Sequence, residues 1–412
     1  MYLDQVVPRE VGLQRPWYFP LQPSFWRELC SNPSRLAAAA AAASAAGRKA
    51  PDPEAPERSA LVEQDVGEAA AMMARSGQTV ELRGVSKFFG DLQAVCKLDL
   101  VMYQGEIFAL LGHNGAGKTT TLAMLCGLMP PSSGSCVVFG HDLAQEPSEV
   151  QRLLGVCPQH DVLWEELSCE EHLSLFAGFK GVARTEVSRE VASMLQRVGL
   201  QSAGASARLA GKLSGGMKRK LSLGIAFLGG SRLVVLDEPT SGLDPYSRRM
   251  VWELLRAMKQ GRVTVLSTHY MDEADILGDR IAILHEGRLM CCGSPQFLKR
   301  AYDCGYNVTF VKRAGCETDA VREAVCRHMP ELASEVVTLS DSGNELILQF
   351  PFAASRHFPQ VLGGLEQQMS ELFVESYGVS VTTLEEVFLK VASGESVERK
   401  EVVGDSGGES DR

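Results

Sequence analysis

The stretch IFALLGHNGAGKTTTLAMLCGLM, Ile107 to Met129, constrains this chain more than any other. Ile107 to Leu111 is a continuous apolar run of strand length, and Leu122, Leu125 and Met129 recur at helical spacing behind it. Between them Gly112, Gly117, Lys118 and Thr119 satisfy G-x-x-x-x-G-K-[ST], with Asn114, Gly115 and Thr120 filling the loop and its exit. Glycines let backbone N–H groups curl around phosphate oxygens, and the N-terminus of the following helix adds partial positive charge. In such a loop the lysine reaches the β- and γ-phosphates and the first Thr binds Mg²⁺. Strand, phosphate loop and helix in this order predict an open α/β sheet that holds a nucleotide.

The loop needs an acidic partner, and SRLVVLDEPTSGLD supplies one. Leu233 to Leu236 read as a buried strand ending in Asp237 and Glu238, at the sheet edge where ligands bind in open α/β folds. Asp237 is placed to hold Mg²⁺ directly or through water. Glu238 is placed beyond the γ-phosphate, where it can take a proton from an attacking water. Hydrolysis, and not binding alone, is the expected chemistry.

Composition excludes several alternatives. The formal net charge of −10 argues against nucleic acid as a partner, because phosphate backbones call for a basic surface. The eleven cysteines are spread over 412 residues without a C-x-x-C pair, which fits free thiols in a reducing compartment. No apolar run reaches the ~18 residues of a membrane-spanning helix. The alanine tract Leu36 to Ala46 is both short and weakly apolar.

With LSGGMKRKLSLG, Leu213 to Gly224, placed shortly before the acidic strand, the order of motifs resembles the ATP-binding cassette family. The resemblance implies a P-loop cassette of mixed sheet core with a helical subdomain, acting as a transport-coupled ATPase with ATP and Mg²⁺ as cofactors. Two such cassettes sandwich two ATPs, so Ser214, Gly215 and Gly216 serve the nucleotide held by a second nucleotide-binding domain. Gln159 in GVCPQHDVL matches the glutamine that senses metal and couples to the transmembrane domains; with Thr119 and Asp237 it makes the metal set. Asp244 in SGLDP matches the aspartate at the dimer interface, and His269 in STHYMDEAD matches the switch histidine at the γ-phosphate. Phe89 matches the aromatic that stacks on adenine, with Phe88 as its rival. Met217 departs from the family's usual glutamine. The lipid-exporting A subfamily shares that departure, and similarity to it covers most of residues 79–300. A lipid-like substrate handled by membrane domains follows from that resemblance. The competing readings are a stand-alone ATPase subunit of a multi-subunit exporter and a non-transport soluble cassette ATPase.

The boundaries read as follows: an aromatic and proline-rich segment at 1–36, a low-complexity linker at 37–77, the cassette at 78–300, a second unit at 304–392 and a polar tail at 393–412. The second unit runs strand, helix, strand, strand, helix, strand, which predicts a small ferredoxin-like α+β domain. TTLEEVFLKV closes it, with Thr383 and Glu386 as a capping box and Leu384, Val387, Phe388 and Val391 on one face. The A subfamily carries a regulatory domain at this place. Asn307 fits a glycosylation pattern and is read as unmodified. RPWYFPLQPSFW, Arg15 to Trp26, combines aromatic rings with three prolines, which bar a regular helix or strand. Rings of this kind suit the membrane–water interface. It is read as the exit from a preceding membrane helix, with the chain on the cytosolic face and Met1 not its true start.

Overall fold

The computed structural model describes residues 60–63, 67–302 and 305–393. The expectations for Arg15 to Trp26, for the alanine tract and for the tail beyond Ser393 lie outside the described residues.

The chain enters through β1 (Leu61–Val62) and α1 (Gly67–Arg75), then forms the long hairpin β2 (Thr79–Phe89) and β3 (Leu92–Tyr103). β4 (Ile107–Leu111), the phosphate loop and α2 (Lys118–Leu125) follow, then β5 (Ser133–Val138), β6 (His141–Asp142), α3 (Pro147–Leu153) and β7 (Leu154–Cys157). A helical insertion of α4 (Cys169–Phe179), α5 (Arg184–Arg197) and α6 (Ala203–Ser206) leads to α7 (Gly215–Phe227). The cassette then completes itself with β8 (Leu233–Asp237), α8 (Pro245–Met258), β9 (Val263–Thr268), α9 (Met271–Leu277), β10 (Arg280–His285), β11 (Arg288–Gly293) and α10 (Pro295–Ala301).

Two sheets make the cassette. One has the order β1-β11-β10-β4-β9-β8-β7 and is parallel except where β10 meets β11; the other, β3-β2-β5-β6, is antiparallel. β4 shows why the first sheet reads as unbroken apolar runs. Ile107, Ala109 and Leu111 face a core shared with the helices, while Phe108 and Leu110 face a core shared with the antiparallel sheet. Successive side chains of a strand point to opposite faces, so a strand buried on both can carry no polar alternation.

The linker reading of 37–77 is corrected at its end. Leu61 and Val62 pair in parallel with Cys291 and Cys292 of β11, and Glu63 accepts from the Ser294 backbone N–H at 2.6 Å and the Ser294 hydroxyl at 3.0 Å. Two apolar residues are too few to show a period, and the open edge of β11 completes the strand.

The second unit has the expected ferredoxin-like form. β12 (Tyr306–Lys312), α11 (Thr318–Cys326), β13 (Val337–Ser342), β14 (Glu345–Phe350), α12 (Phe358–Gln368) and β15 (Val374–Val381) build an antiparallel sheet of order β13-β14-β12-β15. The last helix, α13 (Leu384–Ser393), behaves differently from its expectation. Leu384, Val387 and Val391 are buried in the helix-side core of the cassette, and α13 packs on α9 and α10. Glu386, expected in a capping box, instead accepts from Asn307 Nδ2 at 2.7 Å and Gln349 Nε2 at 2.8 Å of the small sheet. α13 is therefore a strut with one face in each unit. Asn307 has its amide committed to that strut.

Leu384 is fully buried, so Leu384→Ala is expected to cost about 2–5 kcal/mol. Denaturant unfolding should show the loss in the cassette transition, although the residue belongs to the helix that ends the small domain; an unchanged cassette midpoint would contradict the strut.

Candidate active site

The phosphate loop is set at three positions that favour glycine, two by close contacts and one by its torsion. Gly117 caps α2 at φ 101°, and a Cβ there would stand 2.8 Å from the Ala94 carbonyl of β3. Gly115 also takes a positive φ, of 82°, and a Cβ on Gly112 would meet the Leu284 carbonyl at 2.6 Å. Because a glycine caps α2, no side chain occupies the helix's first amides, which stay free for an anion. Lys118 is buried and its ammonium folds over the loop, donating to Gly112 O at 2.6 Å and His113 O at 3.2 Å. Burial lowers its pKa, opposed by the nearby Glu238 and Asp237 carboxylates. Thr119 and Asn114 are exposed and Thr120 half-buried at the helix entrance.

β8 and β9 deliver the acidic residues side by side, with Asp237 paired to Ser267 in register. The Ser267 hydroxyl donates to Asp237 Oδ1 at 2.5 Å and accepts the Glu238 N–H at 3.1 Å. Burial pushes the Asp237 carboxyl above its ordinary range, and the Ser267 bond works against that shift. Glu238 adopts a φ of 46°, in the left-handed region. Such a conformation costs on the order of 1–3 kcal/mol for a residue with a Cβ and is kept where the surroundings over-determine it.

The side chain of Glu238 joins two other motifs. Its Oε2 accepts from Gln159 Nε2 at 3.0 Å, and its Oε1 lies 3.0 Å from His269 Nδ1. A carboxylate can only accept, so Nδ1 carries the proton. The Gln159 amide nitrogen is thus committed to the carboxylate.

The remaining residues expected from sequence occupy separate places. Ser214 caps α7 through Met217 N at 3.3 Å, with Gly215 exposed beside it. A Cβ on Gly216 would come within 3.2 Å of Ser247 on α8, the helix that Asp244 caps. The signature loop and Asp244 therefore share one surface. No hydrogen bond among the described residues joins that surface to the phosphate loop of the same chain. Phe89 is half-buried and Phe88 is 47% exposed at the end of the β2–β3 hairpin, whose Ala94 carbonyl abuts Gly117. That hairpin end is thus beside the phosphate loop, with Phe88 the more exposed of the two rings.

Three residues of the site were not singled out in the sequence. Ser267 is one, and Arg219 of α7 is the second, with its guanidinium buried under the acidic loop. Glu273 is the third: its buried carboxyl accepts from Thr240 Oγ1 at 2.8 Å and Trp252 Nε1 at 3.2 Å, and burial raises its pKa. A helical-face reading gives a signal for Arg219 alone, since it shares its face with Ser222, Leu223 and Ala226.

Residues 95–241 match the ABC transporter family, and 306–384 match an ACT-like domain. The solved ATP-binding subunit of an ABC transporter is 32% identical, with 92% of that chain and 54% of this one covered at a TM-score of 0.50. The chain belongs to the ATP-binding cassette family. Human phospholipid-transporting ATPase ABCA3 is 42% identical over 394 residues, 95% of this chain and 22% of that protein. Human ATP-binding cassette sub-family A member 2 is 40% identical over 449 residues, 97% of this chain and 17% of that protein. The chain spans about a fifth of the length of these two sub-family A relatives.

In this cassette Gly117→Ala sets a methyl group against Ala94 O at an unfavourable φ. ATP affinity measured by calorimetric titration is expected to fall roughly ten- to a hundredfold, the equivalent of about 1–3 kcal/mol.

Proposed function

We propose that this chain binds ATP with Mg²⁺ and hydrolyses it as one half of a two-cassette sandwich, driving translocation of a lipid-like substrate through membrane-spanning partners. The observation that carries this reading is the carboxylate of Glu238, held between Gln159 and His269 next to Asp237. A base, a metal-side carboxylate and a phosphate loop in one place meet the needs of phosphoryl transfer to water, where positioning and charge neutralisation dominate.

The donor set fits both cofactors. Glycine-capped amides and Lys118 suit the phosphates. Thr119, Gln159 and Asp237 would hold Mg²⁺, which supplies charge neutralisation at the phosphates. Among the described residues no cluster of three or more His, Cys, Asp or Glu could hold a metal alone. Mg²⁺ is suited to such a sparse site, since it keeps waters and takes phosphate oxygens as ligands.

Two of these residues must change partners for catalysis, and Glu238 need not. Each of its carboxylate oxygens accepts one bond, from Gln159 or His269, and keeps a second lone pair for a water proton. His269 can steady a γ-phosphate from Nε2 either as the imidazolium or after leaving Glu238, because its Nδ1 proton is engaged. Lys118 has two loop carbonyls as acceptors, and phosphate oxygens would replace them. Ser214, Gly215, Gly216 and Asp244 would act on the nucleotide of the second cassette from their shared surface.

Exposed apolar groups on the loop after Gln159 and on α4 fit a membrane partner. Val162 is 73% exposed and Phe179 71%, and Trp164, Phe176 and Phe179 form a ring series at centroid spacings of 5.9 and 5.8 Å. Exposed apolar groups in a patch mark interaction surfaces. The sub-family A relatives and the name of the phospholipid-transporting one support a lipid-like cargo.

In the assembled transporter, Glu238→Gln is expected to keep ATP affinity while turnover falls about 10²- to 10⁴-fold, the usual worth of a positioned base. Hydrolysis at the parent rate would remove Glu238 from the base role. The pair Trp164→Ala and Phe179→Ala is expected to weaken substrate-stimulated turnover and association with the membrane domains while ATP affinity stays unchanged; full stimulation in that pair would place the docking surface elsewhere.

A further inference from the structure

Arg219 is a charged side chain of the signature helix α7, yet it is only 3% exposed. A buried guanidinium is tolerated when its five N–H groups find acceptors. Here Nε donates to Pro239 O at 2.6 Å, and Nη2 to Asp237 O at 3.0 Å and Glu238 O at 2.8 Å. Nη1 donates to Pro158 O at 2.7 Å, and to Gln159 O and Asp161 Oδ1 at 3.3 Å each. Three consecutive carbonyls of the acidic loop and two of the glutamine loop thus converge on one planar group. Asp161 accepts as well from Ser222 Oγ at 3.0 Å, one turn further along α7.

Glu238 leaves β8 at a φ of 46°, so its backbone is held against its own preference. Its N–H is held by Ser267, through the hydroxyl at 3.1 Å and the carbonyl at 3.2 Å, and its carbonyl by Arg219. The Gln159 loop, whose amide touches the Glu238 carboxylate, is held by the same guanidinium. We propose that Arg219 is a positioning residue for hydrolysis: it fixes the backbones of Glu238 and Gln159 to the signature helix, and thereby sets the direction of the Glu238 carboxylate. Lysine cannot replace it, since one ammonium with three donors cannot span acceptors on both loops. The same clamp places the Ser214 surface, at the start of α7, in a fixed relation to the base. This rests on the reading of Glu238 as the base.

The test compares Arg219→Lys, Arg219→Met and Asp161→Asn in the assembled transporter, with ATP affinity, KM for ATP, melting temperature and kcat measured for each. A displacement of about 1 Å in a catalytic group can cost ~10²-fold in rate. The expected result is a kcat reduced about 10- to 100-fold in Arg219→Met, less in Arg219→Lys and least in Asp161→Asn, with KM and ATP affinity within about twofold of the parent. Parent kcat in Arg219→Met overturns the proposal. Loss of ATP binding or of the folded protein in both Arg219 variants also overturns it, because the residue then serves folding alone. Failure of the base assignment shows separately, as undiminished turnover in Glu238→Gln.

Discussion

The site depends on how β8 stops. Asp237 and Glu238 are adjacent, and on a continuing strand their side chains would face opposite sides of the sheet. The left-handed φ of 46° at Glu238 turns the chain at that point, so that one carboxyl stays beside Ser267 and the other meets Gln159 and His269. Without that turn the two carboxyls would lie on opposite faces of the sheet. The turn in turn is stable because β9 supplies the Ser267 hydroxyl on one side and α7 supplies Arg219 on the other. Parallel pairing of β8 with β9 and the seating of α7 below them are therefore requirements of the chemistry as much as of the fold.

What could be read from the sequence follows from this arrangement. Strands β4, β8 and β9 are buried on both faces, so each appears as a short apolar run bounded by loop signals. The phosphate loop is local, with its glycines, lysine and threonine contiguous, and its geometry needs little from the rest of the chain. Gln159 and His269 meet Glu238 across separations of 79 and 31 residues, and motif order alone assigned them to one site. Arg219 was masked for a physical reason: in MKRK three cations follow one another, and only its place on the face of Ser222, Leu223 and Ala226 sets the middle one apart from its neighbours. Ser267 and Glu273 were hidden likewise, since a strand serine and a helix glutamate carry no signal until the sheet and the loops are assembled.

The two departures at the ends of the cassette have a common cause. β1 and α13 are each short of partners within their own segment, and each finds an apolar surface on the same edge of the cassette. Leu61 and Val62 extend the sheet at β11, and Glu63 bonds Ser294, whose hydroxyl caps α10 at Phe297 N. α13 packs on α10, and Lys390 donates to Tyr302 O at the far end of that helix. The segment entering the cassette and the domain following it are thus fastened to the two ends of one helix.

That helix is not isolated from the site. Lys299 of α10 bonds Asp275 of α9 at 2.7 Å, and α9 begins two residues after His269. Ala274 and Leu277 of α9 share a core with Leu384, Val387 and Val391 of α13, while Glu273 turns toward Thr240, two residues beyond Glu238. Close-packed interiors are nearly incompressible, so elements that share a core move as a body. α9 consequently links His269, the acidic loop and the strut from the small domain. An ACT-like unit with no catalytic constellation of its own has, through α13, a packed route to the residues that would hydrolyse ATP.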